Sequence, residues 1–328
     1  VTLPAPAPYV AVRSTSSSRT AATRPVAPEV QPEARRRGLT LPTVLGGLAS
    51  ASGVALTATA GWLIVKASYQ PQILLLLVAI VAVRTFGIAR PALRYVERVQ
   101  SHDVVLRLLA QRRVEVYDAV VPLTPGALGR RRGDVLAAVV DDVDSVLDRE
   151  LRVRMPVRGF AITAGIAAVV AVLAAPRSLL PVAAVCAAAG VGYLLARRGA
   201  TRAEQGAVAT RARLSDAVVD ATQTASELAM WQAEDRALDA VGAESVELGR
   251  RTVASATWLA TGRALVLLCS GLAVAGAALL LTSVVADGVL SGPMMALLVL
   301  LPLALGEVAG QLADAGALSA RTRAAEDR

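Results

Sequence analysis

The sequence is poor in the residues from which soluble enzymes usually build their sites. Among 328 residues there are one lysine, Lys66, one histidine, His102, and two cysteines. Since Lys66 is followed by alanine, no G-x-x-x-x-G-K-[ST] phosphate-binding loop exists in this chain. Disulfide frameworks, cysteine-rich zinc sites and multi-histidine zinc sites are excluded as well. We therefore expect no catalytic residues and no metal site, and no ATP binding by these residues.

Charge is also scarce, and this argues against a soluble protein. Charged residues make up 18% of the chain and hydrophobic residues 55%, whereas soluble domains average about 25% charged and 45 to 50% apolar. The net charge is +8, which in a soluble protein would suggest nucleic acid as a partner. Here the cations flank long apolar stretches, so we expect contact with membrane lipids and no nucleic-acid binding.

Six stretches are long and apolar enough to cross about 30 Å of hydrocarbon as helices. The second is short before it reaches Arg84, and we interpret it as the outer part of a longer helix. Only Arg177 separates the third stretch from the fourth, and only Asp287 separates the fifth from the sixth, which predicts two tight hairpins. The six stretches are residues 38–65, 69–83, 159–176, 178–196, 264–286 and 288–306.

The placement of arginine predicts the orientation. Residues 84–158 hold 14 arginines and residues 197–263 hold nine, whereas the three remaining loops hold two cations in all. By the positive-inside rule both long connections and both termini are cytoplasmic. Apolar residues repeat at helical spacing in the long connections, so these are predicted to be helical extensions of the spans. Each pair of extensions is interrupted once, at residues 122–126 and at residues 223–234, which predicts a small transverse element at each tip.

Residues 1–38 differ in composition from the rest of the chain. They are rich in proline, serine and arginine and hold no long apolar run. We interpret them as a disordered tail or linker, and residues 39–328 as the membrane domain.

One segment resembles a known family. Residues 94–103 read RYVERVQSHD, followed by PLTPGAL at 122–128 and GDVL at 133–136. This pattern, together with the six spans and two cytoplasmic elbows, resembles the transmembrane domain of CydC-type subunits of the CydDC thiol exporters. The resemblance implies an all-α membrane protein with the six-helix transmembrane domain of a type 1 ABC exporter.

The same resemblance implies a function and partners. It predicts half of a heterodimer with a CydD-like subunit in the bacterial cytoplasmic membrane, which exports glutathione or cysteine with the energy of ATP and supports cytochrome bd assembly. ATP hydrolysis would reside in nucleotide-binding domains, either on a continuation of the chain or on a partner. The sequence therefore leaves open whether this chain is part of an ATPase. Two alternatives are an exporter of lipid or hydrophobic drug, and a haem-binding membrane module that does not transport.

Three residues of the segment are candidates for ligand binding. Arg94 and Arg98 lie one helical turn apart, and their guanidinium groups could bind the carboxylates of a small anionic thiol. Alternatively they bind lipid phosphates or Glu97. The S-H-D run resembles the region associated with haem in CydC-type proteins, which implies haem b on His102 with Arg98 beside a propionate. Alternatively His102 hydrogen-bonds Asp103 or packs on a neighbouring helix.

The two elbows carry apolar residues that could dock on nucleotide-binding domains, although local packing is an alternative role for them. The candidates are Pro125 and Leu128 in the first elbow, and Leu228 and Trp231 in the second. Asp148 and Arg152 are spaced to form an ion pair on a solvated helix face.

Overall fold

The computed structural model describes residues 32–120 and 148–326, and these residues are almost entirely helical. Two short distorted turns, Glu150–Arg154 of π type and Pro176–Ser178 of 3₁₀ type, precede the third and fourth long helices. The helices are α1 (Pro32–Ser68), α2 (Ile73–Val120), α3 (Met155–Ala174), α4 (Leu179–Gln223), α5 (Ala225–Met230), α6 (Glu234–Ala286) and α7 (Gly292–Glu326).

The prediction of six spans is confirmed. Six helical segments in the described part of the chain are long and apolar enough to cross a membrane. The two predicted hairpins are present, because α3 and α4 join through residues 175–178, and α6 and α7 through residues 287–291. In the first hairpin the Ser178 hydroxyl donates to the carbonyl oxygens of Ala171 and Ala175, at 3.1 and 2.8 Å. The same two oxygens also accept backbone N–H groups, of Ala175 and Ser178 respectively, so the hydroxyl adds a second hydrogen bond to each and stabilises the turn.

The core lies among α4, α6 and α7, which pack against one another along the bundle. Its largest fully buried side chains include Leu281, Leu298 and Leu305. Much of the remaining contact is made by alanine and glycine, which let helix backbones approach closely where lipid supplies no hydrophobic driving force.

Helix α2 is peripheral to this core. It packs along α1 and continues through Pro91 without interruption. Its first half exposes large apolar side chains such as Ile73, Leu74 and Val78. This face is therefore suited to lipid or to another membrane helix.

The helices have a turn end and an extension end. Gly292 at the start of α7 contacts the hydroxyl of Tyr69, so the α1–α2 and α6–α7 turns lie at the same end of the bundle. Near the opposite end Leu39, Val105, Leu108 and Met155 form a second buried cluster between α1, α2 and α3. Helix α1 begins at Pro32 and therefore takes in residues 32–38, which composition had assigned to the tail. Residues 1–31 lie outside the described part.

Beyond the membrane core, α4 and α6 continue side by side as a long hairpin. The predicted interruption at 223–234 is present, since α4 ends at Gln223 and α6 begins at Glu234, with the short α5 between them. Arg213 and Glu244 form an ion pair of 3.0 Å between the two helices. The other predicted elbow, at residues 122–126, lies outside the described residues.

Candidate functional site

Three cavities lined by both polar and apolar side chains follow one another along α2, and Arg94 lines all of them. The innermost is about 20 Å³ and lies between α1, α2 and α7. The middle one is about 100 Å³ and also reaches the start of α3. The outermost is an open cleft of about 710 Å³ between α2 and residues 148–152. The set is thus a row of spaces, each with charged side chains in its wall, that extends from the bundle toward the extension end.

The depth of this row follows from helix geometry. At 1.5 Å per residue, Arg90 lies about 26 Å along α2 from Ile73, and Glu307 lies about 22 Å along α7 from Gly292. Both positions fall within a hydrocarbon layer of about 30 Å. His102 lies about 44 Å from Ile73 by the same measure, which is beyond that layer. The innermost cavity is therefore at membrane depth, and the cleft is outside it.

The structure brings the three ligand-binding candidates of α2 together. Arg94, Arg98 and His102 all line the outermost cleft, and His102 is exposed there. Arg94 approaches the mostly buried Glu97 at 3.8 Å, which is the alternative contact that the sequence left open. Within the described part of the chain Arg98 makes no ion pair. Its guanidinium group is the cation in the cleft that a bound anion could pair with directly.

The opposite wall of the cleft carries the Asp148–Arg152 pair, and its ion pair is confirmed at 3.3 Å. Apolar side chains from both walls, Val105, Leu109 and Leu151, complete the lining. The cleft thus combines several fixed charges with an apolar base, a composition suited to a small charged molecule that also has an apolar or polarisable part.

Sequence reasoning missed the contribution of α7. Glu307 accepts a hydrogen bond of 3.2 Å from Arg90, and Gln311 lines the innermost and middle cavities. One signal was available in the sequence, because Glu307 is the only charged residue between Asp287 and Asp314. An isolated charge in a membrane span usually faces a cavity or a partner.

The second elbow presents an exposed apolar tip. Trp231 is 75% exposed and Met230 is 70% exposed, whereas Leu228 is partly buried in the turn between α4 and α6. Pro125 and Leu128 of the first elbow lie outside the described residues. Of the four predicted docking residues, the structure therefore describes two, and it places Trp231 on the surface.

Relatives with known names share parts of this sequence. No family model matches the chain. The glutathione/L-cysteine transport system ATP-binding/permease protein CydD of Bacillus subtilis is 42% identical over 117 residues, which is 34% of this chain and 20% of that protein. The glutathione/L-cysteine transport system ATP-binding/permease protein CydC of Haemophilus influenzae is 38% identical to this chain over 76 residues. The CydC protein of Escherichia coli is 42% identical to it over 78 residues.

The matches are partial on both sides. The two CydC matches cover 23% and 24% of this chain, and 13% and 14% of the relatives. The matched segment thus spans one fifth or less of the length of these relatives. Over these segments the chain is similar to the CydC and CydD transport proteins, and its six long apolar helices are consistent with the transmembrane domain of an ABC exporter.

Proposed function

We propose that the chain is the membrane-spanning half of a heterodimeric, ATP-driven exporter of glutathione or cysteine. Its partners would be a CydD-like subunit and nucleotide-binding domains, and its physiological role the support of cytochrome bd assembly. The names of the three relatives, which are transport proteins for glutathione and L-cysteine, support this substrate class. The membrane would be the bacterial cytoplasmic membrane. Both termini and the extension end would lie in the cytoplasm, because the extension end carries the arginine-rich connections and the positive-inside rule assigns such connections to the cytoplasmic side.

The observation that carries the proposal is the arginine-lined cleft. Arg98 has no ion-pair partner among the described residues, and Arg94 keeps about half of its side chain exposed, so both can receive carboxylates. A guanidinium group binds a carboxylate through two parallel hydrogen bonds. Glutathione and cysteine both carry carboxylates, whereas a lipid tail or a hydrophobic drug would leave these cations unpaired. The cleft therefore favours a small anionic or zwitterionic thiol over an apolar cargo.

Coupling to ATP hydrolysis would use the elbow between α4 and α6. Its exposed Trp231 is the kind of large apolar side chain that concentrates binding energy at protein interfaces. The exposed apolar face of α2 would lie against lipid or the CydD-like subunit.

Transport by the assembled complex in inverted membrane vesicles tests the proposal. We expect ATP-dependent uptake of labelled glutathione or cysteine. Arg98→Gln should weaken uptake by about ten-fold or more, since a hydrogen bond to a charged group contributes about 1.5–3 kcal/mol. Arg112→Gln is the matched control, because Arg112 pairs with Glu115 on the extension of α2 and does not line the cleft. Uptake of a lipid or hydrophobic drug without uptake of thiols would reject the proposal.

As an alternative occupant of the same cleft we propose haem b, because a histidine, an arginine and apolar side chains line it together. His102 would offer an imidazole nitrogen to the iron, Arg98 would pair with a propionate, and Val105, Leu109 and Leu151 would contact the ring. Bound haem would supply one-electron redox chemistry at this site. The residues of the chain would hold and orient it.

A further inference from the structure

An ion pair between α2 and α7 lies at membrane depth. The Arg90 guanidinium and the Glu307 carboxylate are 3.2 Å apart, and both are within the hydrocarbon thickness by helix rise. Charged groups at such depth are costly and usually mark a pathway or a binding site. Residues 90 and 307 are 217 positions apart, so the pair forms only when the bundle is assembled.

Both side chains of the pair are accessible. The Arg90 side chain is 49% exposed and that of Glu307 is 66% exposed, so a ligand can reach both charged groups. The surroundings are shaped around the arginine. A Cβ atom at Gly53 would lie 3.1 Å from Cδ and Nε of Arg90, so the absence of a side chain at position 53 lets the guanidinium lie close against α1.

The pair borders a small polar space that it shares with Arg94. Ser50 of α1 and Gln311 of α7 also line this cavity, beside apolar residues of both helices. It is about 20 Å³ and can hold about one water molecule. Both residues also line the middle cavity, and Arg94 connects the two to the open cleft. Polar side chains thus line each of the three spaces from the cleft to the ion pair.

We propose that Arg90 and Glu307 form a recognition site for the α-amino-acid group of the transported thiol. After the substrate leaves Arg94 and Arg98 of the cleft, Arg90 binds its carboxylate and Glu307 binds its ammonium group, so the substrate replaces one protein ion pair with two. This inference rests on the proposed thiol transport and assigns the residues that determine its specificity.

The charges of the site match this class of ligand. A free α-amino acid carries one carboxylate and one ammonium group on the same carbon, and both cysteine and the γ-glutamyl end of glutathione have this arrangement. The site offers one cation and one anion at hydrogen-bond distance, so binding leaves no unpaired charge at membrane depth. A purely anionic ligand would displace Glu307 from Arg90 and leave its carboxylate unpaired. Glu307 therefore disfavours the binding of such ligands.

Three small thiols separate the two contacts. Cysteine has both charged groups, 3-mercaptopropionate lacks the ammonium group, and cysteamine lacks the carboxylate. ATP-dependent uptake of each is measured in inverted vesicles that contain the assembled complex. The readout is the ratio of kcat/KM between thiols within one preparation, which does not depend on how much of a variant assembles.

The wild-type complex should prefer cysteine over 3-mercaptopropionate, and cysteine over cysteamine, by about ten-fold or more in each case, because each analogue lacks a charge-assisted hydrogen bond. Glu307→Gln should reduce the preference for cysteine over 3-mercaptopropionate toward one and leave the preference over cysteamine above one. Arg90→Gln should reduce the preference over cysteamine toward one and leave the preference over 3-mercaptopropionate above one. Glu115→Gln is the control, since Glu115 also pairs with an arginine on α2 but lies in the extension, and both ratios should stay unchanged.

The outcomes distinguish this inference from the proposed function. If the wild type transports cysteine and Glu307→Gln lowers uptake of all three thiols equally, the ion pair is only a structural tie, and the inference is wrong while thiol transport stands. The same conclusion follows if neither ratio changes in either variant. If the wild type transports none of the three thiols and no glutathione, the proposed function fails, and the specificity assignment fails with it.

Discussion

Gly192 of α4 and Gly262 of α6 contact each other through their backbones. A Cβ atom at Gly192 would lie 2.9 Å from the carbonyl oxygen of Gly262, and a Cβ atom at Gly262 would lie 2.8 Å from the carbonyl oxygen of Gly192. Neither oxygen can move without the helix that carries it. The two longest membrane helices of the core therefore cross at a point that only glycine permits on both sides.

The first prediction concerns this crossing. Gly192→Ala should destabilise the protein by about 1–3 kcal/mol, as overpacking usually does, because the added methyl group forces α4 and α6 apart. Gly190→Ala is the matched control, since nothing lies within 4 Å of a Cβ atom at that position of the same helix. It should be neutral or slightly stabilising, because alanine favours helix over glycine. Thermal unfolding in detergent measures both, and equal stability of the two variants would contradict the proposed close crossing.

The second prediction concerns coupling through the tip of the α4–α6 hairpin. Trp231→Ala should reduce thiol-stimulated ATP hydrolysis by the complex by about ten-fold or more, the effect expected when an interface loses a central aromatic side chain. Binding of the thiol itself should persist. Leu279→Ala serves as the control, because Leu279 is also highly exposed but lies near the turn end of α6. Normal stimulated hydrolysis in the Trp231 variant would exclude a docking role for this side chain.

The third prediction concerns orientation. In a background without Cys186 and Cys269, a cysteine introduced by Gln232→Cys should resist a membrane-impermeant maleimide in intact cells. One introduced by Asp287→Cys should react, because both positions are exposed but lie at opposite ends of α6. In inverted vesicles the pattern should reverse. Labelling of position 232 in intact cells would place the extension end outside the cytoplasm.

The fourth prediction concerns haem. His102→Ala should abolish the Soret absorption band of the assembled complex, and Arg98→Ala should weaken it, while the complex stays folded. Arg107→Gln is the control, since Arg107 pairs with Asp103 at 2.9 Å and does not line the cleft. An unchanged spectrum in the His102 variant would remove this residue as the iron ligand without affecting the proposal of thiol transport.

The features that could be predicted from sequence are those set by local patterns. Uncharged stretches of sufficient length predicted the spans, and isolated polar residues such as Arg177 and Asp287 predicted the hairpins. The four-residue spacing of Arg94 and Arg98 predicted that they lie one helical turn apart, and the structure places both in one cleft, together with His102. Each of these inferences depends on a single helix and needs no knowledge of which helices are neighbours.

The contribution of α7 could not be predicted in this way. Spacing along one helix says nothing about a partner 217 residues away, so the pairing of Arg90 with Glu307 requires the assembled bundle. The backbone contact of Gly192 with Gly262 is hidden for the same reason, since other glycines such as Gly190 lie in open space. The start of α1 at Pro32 was missed because a helix can propagate through charged residues that carry no apolar signal.

The length of α6 has a mechanical consequence. Its 53 residues form a rod of about 80 Å, of which about 30 Å is needed to cross the hydrocarbon layer. The remaining 50 Å or so acts as a lever arm, and a tilt of about 5° at the membrane displaces its far end by about 4 Å. The arm packs against α4, and the ion pair between Arg213 and Glu244 is one of the contacts between the two helices. A rearrangement at the tip no larger than one side chain thus corresponds to a small rigid rotation of α4 and α6 in the membrane.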